Sequence, residues 1–193
     1  MKENHGQGLR DGQGVRDLDV NDNFALHLFD DIIRPVQSAK FLGVEVDGLL
    51  SFKKQMDSIS NRATKRLNVL RVLSKSGTDA KTLMKLYKIY VRPILEYGSI
   101  AFMAAPKTQL SRLQGLENDA IRICLRLPKY IRTSLLHEYA SLESISMRLI
   151  RTNTTLLRKM RENNPHIDEL VKAYSNSLDN CHTSPFDVIF KHL

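Results

Sequence analysis

Cysteine is scarce in this chain: Cys124 and Cys181 are the two thiols among 193 residues. Two cysteines cannot build a disulfide scaffold or a four-thiolate zinc site, and they fit a reducing compartment. Long apolar runs are missing, so no bilayer-spanning helix is expected. The opening residues Met1-Lys2-Glu3-Asn4-His5-Gly6 lead into no apolar core, so no secretory signal is expected either. The sequence therefore predicts an intracellular protein, nuclear or cytoplasmic, that is not secreted. The third scarcity is of acidic side chains in the middle. Residues 51–163 hold 22 Lys and Arg against 8 Asp and Glu, and from Lys53 to Arg92 11 basic residues meet only Asp57 and Asp79. Solvated helices normally intersperse both signs. The first 50 residues are net acidic, so the overall charge of +8 understates how concentrated the positive charge is. Such asymmetry points to an acidic partner, nucleic acid foremost.

What is present divides the chain into four stretches. Residues 1–23 are rich in Gly, Asp, Asn and Gln and contain a near-repeat, Gly6-Gln7-Gly8-Leu9-Arg10-Asp11 and then Gly12-Gln13-Gly14-Val15-Arg16-Asp17. With so little apolar surface this segment is expected to be disordered. Its glycines are not a dinucleotide fingerprint, because Asp11 and Asp17 stand where the third glycine is needed and no strand precedes. Residues 24–50 read as β-structure. Phe24 to Phe29 is a predicted strand, Asp30-Asp31 a turn and Ile32-Ile33 a return. A second strand is predicted from Ala39 to Val46, followed by a turn at Asp47-Gly48.

Residues 51–163 switch to helical periodicity. Ser51 is placed to cap a helix running to about Lys75, with Met56, Ile59, Ala63, Leu67 and Leu70 as its apolar stripe. Gly77 closes it, and Asp79 caps a second helix. A third spans about Lys107 to Leu127, with Leu110, Leu113, Leu116, Ala120, Ile121 and Cys124 inward, and Pro128 ends it. Shorter helices follow at Ser134–Tyr139 and Leu142–Glu162, and Pro165 opens another in the tail, residues 164–193. The fold class is thus mostly α with a small N-terminal β hairpin, an α+β chain.

The second helix carries the clearest chemistry. At 100° per residue, Lys81, Lys85, Lys88 and Arg92 share a narrow arc, while Leu83, Leu86, Tyr87, Tyr90, Ile94 and Tyr97 lie opposite. Four cations at steps of about 5–6 Å match the spacing of successive phosphates along a strand, which they would engage by charge neutralisation. Pro93 is expected to kink this helix. Arg112, Arg122 and Arg126 form a looser basic side on the third helix.

Several strings resemble the reverse transcriptases of non-LTR, jockey-like retrotransposons. Ser38-Ala39-Lys40-Phe41-Leu42-Gly43-Val44-Glu45-Val46-Asp47, followed by Leu50-Ser51-Phe52-Lys53, is similar to the segment that closes the palm of those enzymes. Ala63-Thr64-Lys65-Arg66-Leu67, then Arg92-Pro93-Ile94-Leu95-Glu96-Tyr97-Gly98-Ser99, then Ala120-Ile121-Arg122-Ile123, and finally Leu135-Leu136-His137-Glu138 follow in the family's order across roughly residues 32–150. The resemblance implies a palm edge at 24–50, with Lys40, Phe41, Leu42 and Gly43 on the primer grip. It implies a thumb-like helical bundle at 51–163 that holds an RNA–DNA or DNA duplex by its backbone. Arg62, Lys65 and Arg66 join Lys81, Lys85, Lys88, Arg92, Arg112, Arg122 and Arg126 as candidate nucleic-acid contacts. The alternative is a non-enzymatic basic helical protein that docks an acidic protein or a membrane.

Polymerase chemistry needs carboxylates holding two divalent cations about 3.5–4 Å apart. The family supplies them from an aromatic-x-Asp-Asp hairpin and an earlier Asp. Phe29-Asp30-Asp31 lacks the intervening residue and lies directly before the grip motif, so Asp30 and Asp31 read as turn residues. The expectation is a chain with no catalytic residues and no cofactor of its own, Mg²⁺ belonging to the full-length parent, and no synthesis by this chain alone. Other motifs fall short. His137-Glu138 lacks a second His at Ser141, Cys181-His182 with His192 is too sparse for zinc, and Asn153-Thr154-Thr155 is a sequon without other signs of secretion.

Overall fold

The computed structural model describes residues 26–29 and 31–177. The expectations for residues 1–23, Phe24, Asp30, Cys181, His182 and His192 lie outside them. The chain divides into two units, one up to Gln37 and one from Ser38 onward.

In the first unit β1 (Leu26–Leu28) pairs antiparallel with β2 (Asp31–Ile33), Leu28 opposite Asp31. That register ends β1 at Leu28. Phe29 therefore leaves the strand predicted for it, taking a left-handed φ of 53° with its side chain in solvent, and Asp31 opens the return strand instead of the turn.

The second unit begins with another hairpin, β3 (Ser38–Phe41) and β4 (Val44–Asp47), with Phe41 opposite Val44. The single strand expected from Ala39 to Val46 is thus folded back on itself. Leu42 (φ 46°) and Gly43 (φ 80°) both occupy the left-handed region, as a two-residue turn matched to strand twist requires. Gly43 adopts it freely, whereas Leu42 does so against the preference of its side chain.

Eight helices follow among the described residues: α1 (Lys53–Lys75), α2 (Ala80–Leu86), α3 (Arg92–Glu96), α4 (Ser99–Phe102), α5 (Lys107–Leu125), α6 (Thr133–Ala140), α7 (Ile145–Asn163) and α8 (Pro165–Ser177). The α+β class stands. The stripe of α1 is buried as expected, at Met56, Ile59, Ala63, Leu67 and Leu70, and α1 packs along α5. From α5, Leu113, Ala120, Ile121 and Cys124 are buried. Burial pushes the Cys124 thiol up to about 12, so it stays protonated as an apolar core residue.

The caps show how sequence sets the ends. Ser51 is not the principal cap of α1. The Asp47 carboxylate accepts from the Ser51 and Phe52 amides at 2.9 and 2.8 Å and from the Ser51 hydroxyl at 3.2 Å. Burial raises the Asp47 carboxyl, but these donors outweigh it and hold the group below its ordinary value. At the other end Gly77 (φ 88°) lets the Thr78 amide reach back to the Leu73 carbonyl at 3.3 Å, a Schellman closure. Asp79 caps α2 by accepting from the Thr82 amide at 2.8 Å.

Between α2 and α3 the chain does not simply kink. Tyr87–Val91 forms a π-helical turn in which the Arg92 amide donates to the Tyr87 carbonyl, five residues back. Pro93 has no amide to continue the ladder, and the wider turn absorbs the break. The extra residue per turn rotates everything after Tyr87. Val91 and Leu95 become core residues, while Tyr90 and Tyr97, expected in the core, turn outward.

Candidate nucleic-acid interface

Lys81, Lys85 and Lys88 stay exposed along one edge of α2 and the π turn, as the periodicity predicts. Arg92 does not join them. It is 7% exposed, with Nε 3.1 Å from Glu96 and a terminal nitrogen 3.7 Å from Glu117. The four-cation row is therefore a three-lysine row, because the π turn carries the fourth cation inward. On α1, Arg62 and Lys65 are exposed, and the Arg66 guanidinium lies 3.7 Å over the Tyr90 ring. The stack uses the outward turn of Tyr90 and ties α1 to the π turn.

The arginines of the basic side expected on α5 each make contacts within the protein, Arg126 while remaining exposed. Arg112 pairs with Asp57 at 2.7 Å. Arg122 reaches the Ile131 carbonyl at 3.3 Å and Asp119 at 3.7 Å. Arg126 donates to the Ser74 and Thr78 carbonyls at 3.0 and 2.7 Å, closing the end of α1. Helix C-termini leave carbonyls unpaired, and a planar guanidinium can take two at once.

The β3–β4 tip presents Lys40, Phe41 and Leu42, with Phe41 71% and Leu42 76% exposed. It is held from behind by Tyr97 and Gly98. The Tyr97 hydroxyl donates to the Leu42 carbonyl at 2.8 Å, and its ring lies where a Cβ on Gly43 would come within 3.4 Å. Gly98 has φ 71°, and a Cβ there would sit 2.5 Å from Val44 Cγ2. Leu95 is buried, and Glu96 receives Arg92 and Arg148. Tyr97 and Gly98 thus seat the hairpin on the helices, while Leu95 belongs to the helical core and Glu96 ties α3 to α7.

Behind the lysine row lies a buried polar cluster that periodicity did not reveal. Glu117 is fully buried on α5. It accepts from the Tyr87 hydroxyl at 2.9 Å, from Gln114 at 3.2 Å and from the Ile145 amide, in the first turn of α7, at 2.5 Å. Burial, and then the Glu117 carboxylate, push the Tyr87 hydroxyl far above its ordinary range, so it remains a donor. Arg92 and Arg148 oppose Glu117 and Glu96, which balances the charge. The signal available in sequence was an acid at 117, on the same stripe as Leu113, Ala120 and Cys124.

The remaining candidates have structural places. Asn153 of the sequon is buried on α7 and accepts from the Ser99 hydroxyl at 3.0 Å. His137 lies with Nδ1 3.1 Å from the Leu142 carbonyl and Nε2 3.0 Å from Gln114. Among the described residues no group of three or more His, Cys, Asp or Glu is placed to hold a metal, and no helix is long and apolar enough to cross a membrane.

Comparison with known proteins bears on this arrangement. The chain is 26% identical over 154 residues to the probable RNA-directed DNA polymerase from transposon BS of Drosophila melanogaster, covering 74% of this chain and 17% of that protein. It is 24% identical over 110 residues to the probable RNA-directed DNA polymerase from transposon X-element of the same species, covering 56% and 12%. It is 32% identical over 98 residues to the RNA-directed DNA polymerase from mobile element jockey of Drosophila funebris, covering 49% and 10%. The resemblance to non-LTR retrotransposon polymerases is thus carried by three relatives, of whose length the chain spans less than a fifth. No family model matches the chain, and no solved structure matches it.

Proposed function

We propose that this chain is the palm-edge and thumb part of an RNA-directed DNA polymerase from a non-LTR retrotransposon, and that it holds template–primer duplex by the phosphate backbone. The observation that carries this reading is the exposed row Lys81, Lys85 and Lys88, set on a helix whose other side is core. Arg62 and Lys65 on α1 and Lys40 on the hairpin add cations on elements packed against the same bundle. Such contacts neutralise phosphates and release counterions without reading base sequence. In this reading the chain contributes binding, while the carboxylate-held Mg²⁺ pair belongs to the rest of the parent polymerase.

The test is a salt titration of affinity for an RNA–DNA duplex. Affinity should fall steeply with salt, each neutralised phosphate adding about 0.9 to the log–log slope. Replacing Lys81, Lys85 and Lys88 together with Ala should flatten the slope by roughly 2 to 3 on that scale. An unchanged slope, or tighter binding to anionic vesicles than to duplex, would refute the reading.

A further inference from the structure

A groove of about 340 Å³ opens beside the lysine row. Lys81, Met84, Lys85 and Lys88 line it from α2 and the π turn, Leu125 from the end of α5, and Tyr139 from the last turn of α6. Cations alone would suffice to grip a duplex backbone, so the aromatic wall is left without a purpose in that reading. Tyr139 is 65% exposed, and its ring is available to a ligand. The groove thus combines an aromatic face and apolar side chains with three ammonium groups.

One unpaired nucleotide has the same composition: a flat π-face at one end and a phosphate at the other. Base–aromatic stacking beside a basic track is the general means of holding single strands without sequence preference. The cavity has room for one nucleotide and not for a double helix. A flat lipid surface would meet the ammonium groups without using Tyr139. A phosphopeptide is better served by the bidentate fork of arginine, which the groove lacks.

We infer that this groove holds a single unpaired nucleotide of a nucleic acid whose paired part lies along the basic bundle. The base stacks on Tyr139, and the backbone that runs from it into the paired part lies along Lys81, Lys85 and Lys88. The inference rests on the nucleic-acid reading above and adds to it a preference for a single-stranded extension.

Fluorescence anisotropy of the whole chain tests it with three probes: a blunt RNA–DNA duplex, the same duplex with a short single-stranded extension, and that extension with abasic residues. The extended duplex should bind more tightly than the blunt one, and the abasic extension should lose the gain. Tyr139→Ala should weaken binding of the extended duplex on the order of tenfold and leave the blunt duplex unchanged, while Tyr139→Phe keeps the gain. Equal affinity for all three probes, equal loss on blunt and extended duplexes, or a loss in Tyr139→Phe matching that in Tyr139→Ala would overturn it. Failure of the underlying reading is separate: the blunt duplex would then bind weakly and without salt dependence.

Discussion

Replacing Glu117 with Ala should lower the free energy of unfolding by about 3–5 kcal/mol, the cost of stripping one partner from a buried ionic cluster. Glu117 holds the Tyr87 hydroxyl and the first-turn amide of α7, and its carboxylate lies 3.7 Å from Arg92. Without it a nearly buried guanidinium loses one of its two carboxylates, and a buried hydroxyl and a helix amide lose their acceptor. The loss exceeds that of an ordinary hydrogen bond, about 1 kcal/mol, because several groups are stranded together. Glu117→Gln keeps an acceptor but not the charge, so it should fall between Ala and the native chain. Urea unfolding measures the series. A Glu117→Ala loss under about 1 kcal/mol would mean that the cluster relaxes or hydrates, and that the core is not organised around it.

Gly98→Ala is the second large effect. A left-handed backbone costs a side-chain-bearing residue roughly 1–2 kcal/mol. The new Cβ would also lie 2.5 Å from Val44 Cγ2, so the hairpin must shift. The combined loss should reach about 2–4 kcal/mol, within the range of backbone strain added to core overpacking. The two causes separate in a double-mutant cycle: Val44→Ala removes the clash but not the strain, so Gly98→Ala should cost less in that background than in the native one. Hydrogen exchange should show the loss concentrated in β3 and β4. Equal cost in both backgrounds would remove Val44 from the explanation.

Much of the helical core was readable because one period governs it. The α1 stripe from Met56 to Leu70 follows the three-and-four spacing through a helix with no internal break, and Gly77 and Asp79 mark its end and the next beginning. The errors cluster where a second rule intervenes. Leu42-Gly43 interrupts an alternation that reads as continuous, because leucine does not advertise a turn. Before Pro93 the π turn changes the angle per residue, so a wheel drawn at 100° puts Arg92 outside and Tyr90 inside, the reverse of what is found. Arg112 and Arg126 have partners some fifty residues away in sequence, and charge counting cannot see a carbonyl at the end of another helix. The lysine row survived because Lys81, Lys85 and Lys88 precede or barely enter the π turn. Tyr139, some fifty residues from those lysines, becomes part of their surroundings only through the packing of α6.

The central claim is that a nucleic-acid backbone lies along particular lysines of this bundle. Lysine-reactivity footprinting tests it directly: the whole chain is acylated briefly with and without an RNA–DNA duplex, and modification is quantified residue by residue. Lys81, Lys85 and Lys88 should be strongly protected, with Lys40 and Lys65 protected alongside them, while the exposed Lys107 and Lys159 react equally in both samples. Undiminished labelling of Lys81, Lys85 and Lys88 under saturating duplex would contradict the account, wherever else protection appeared.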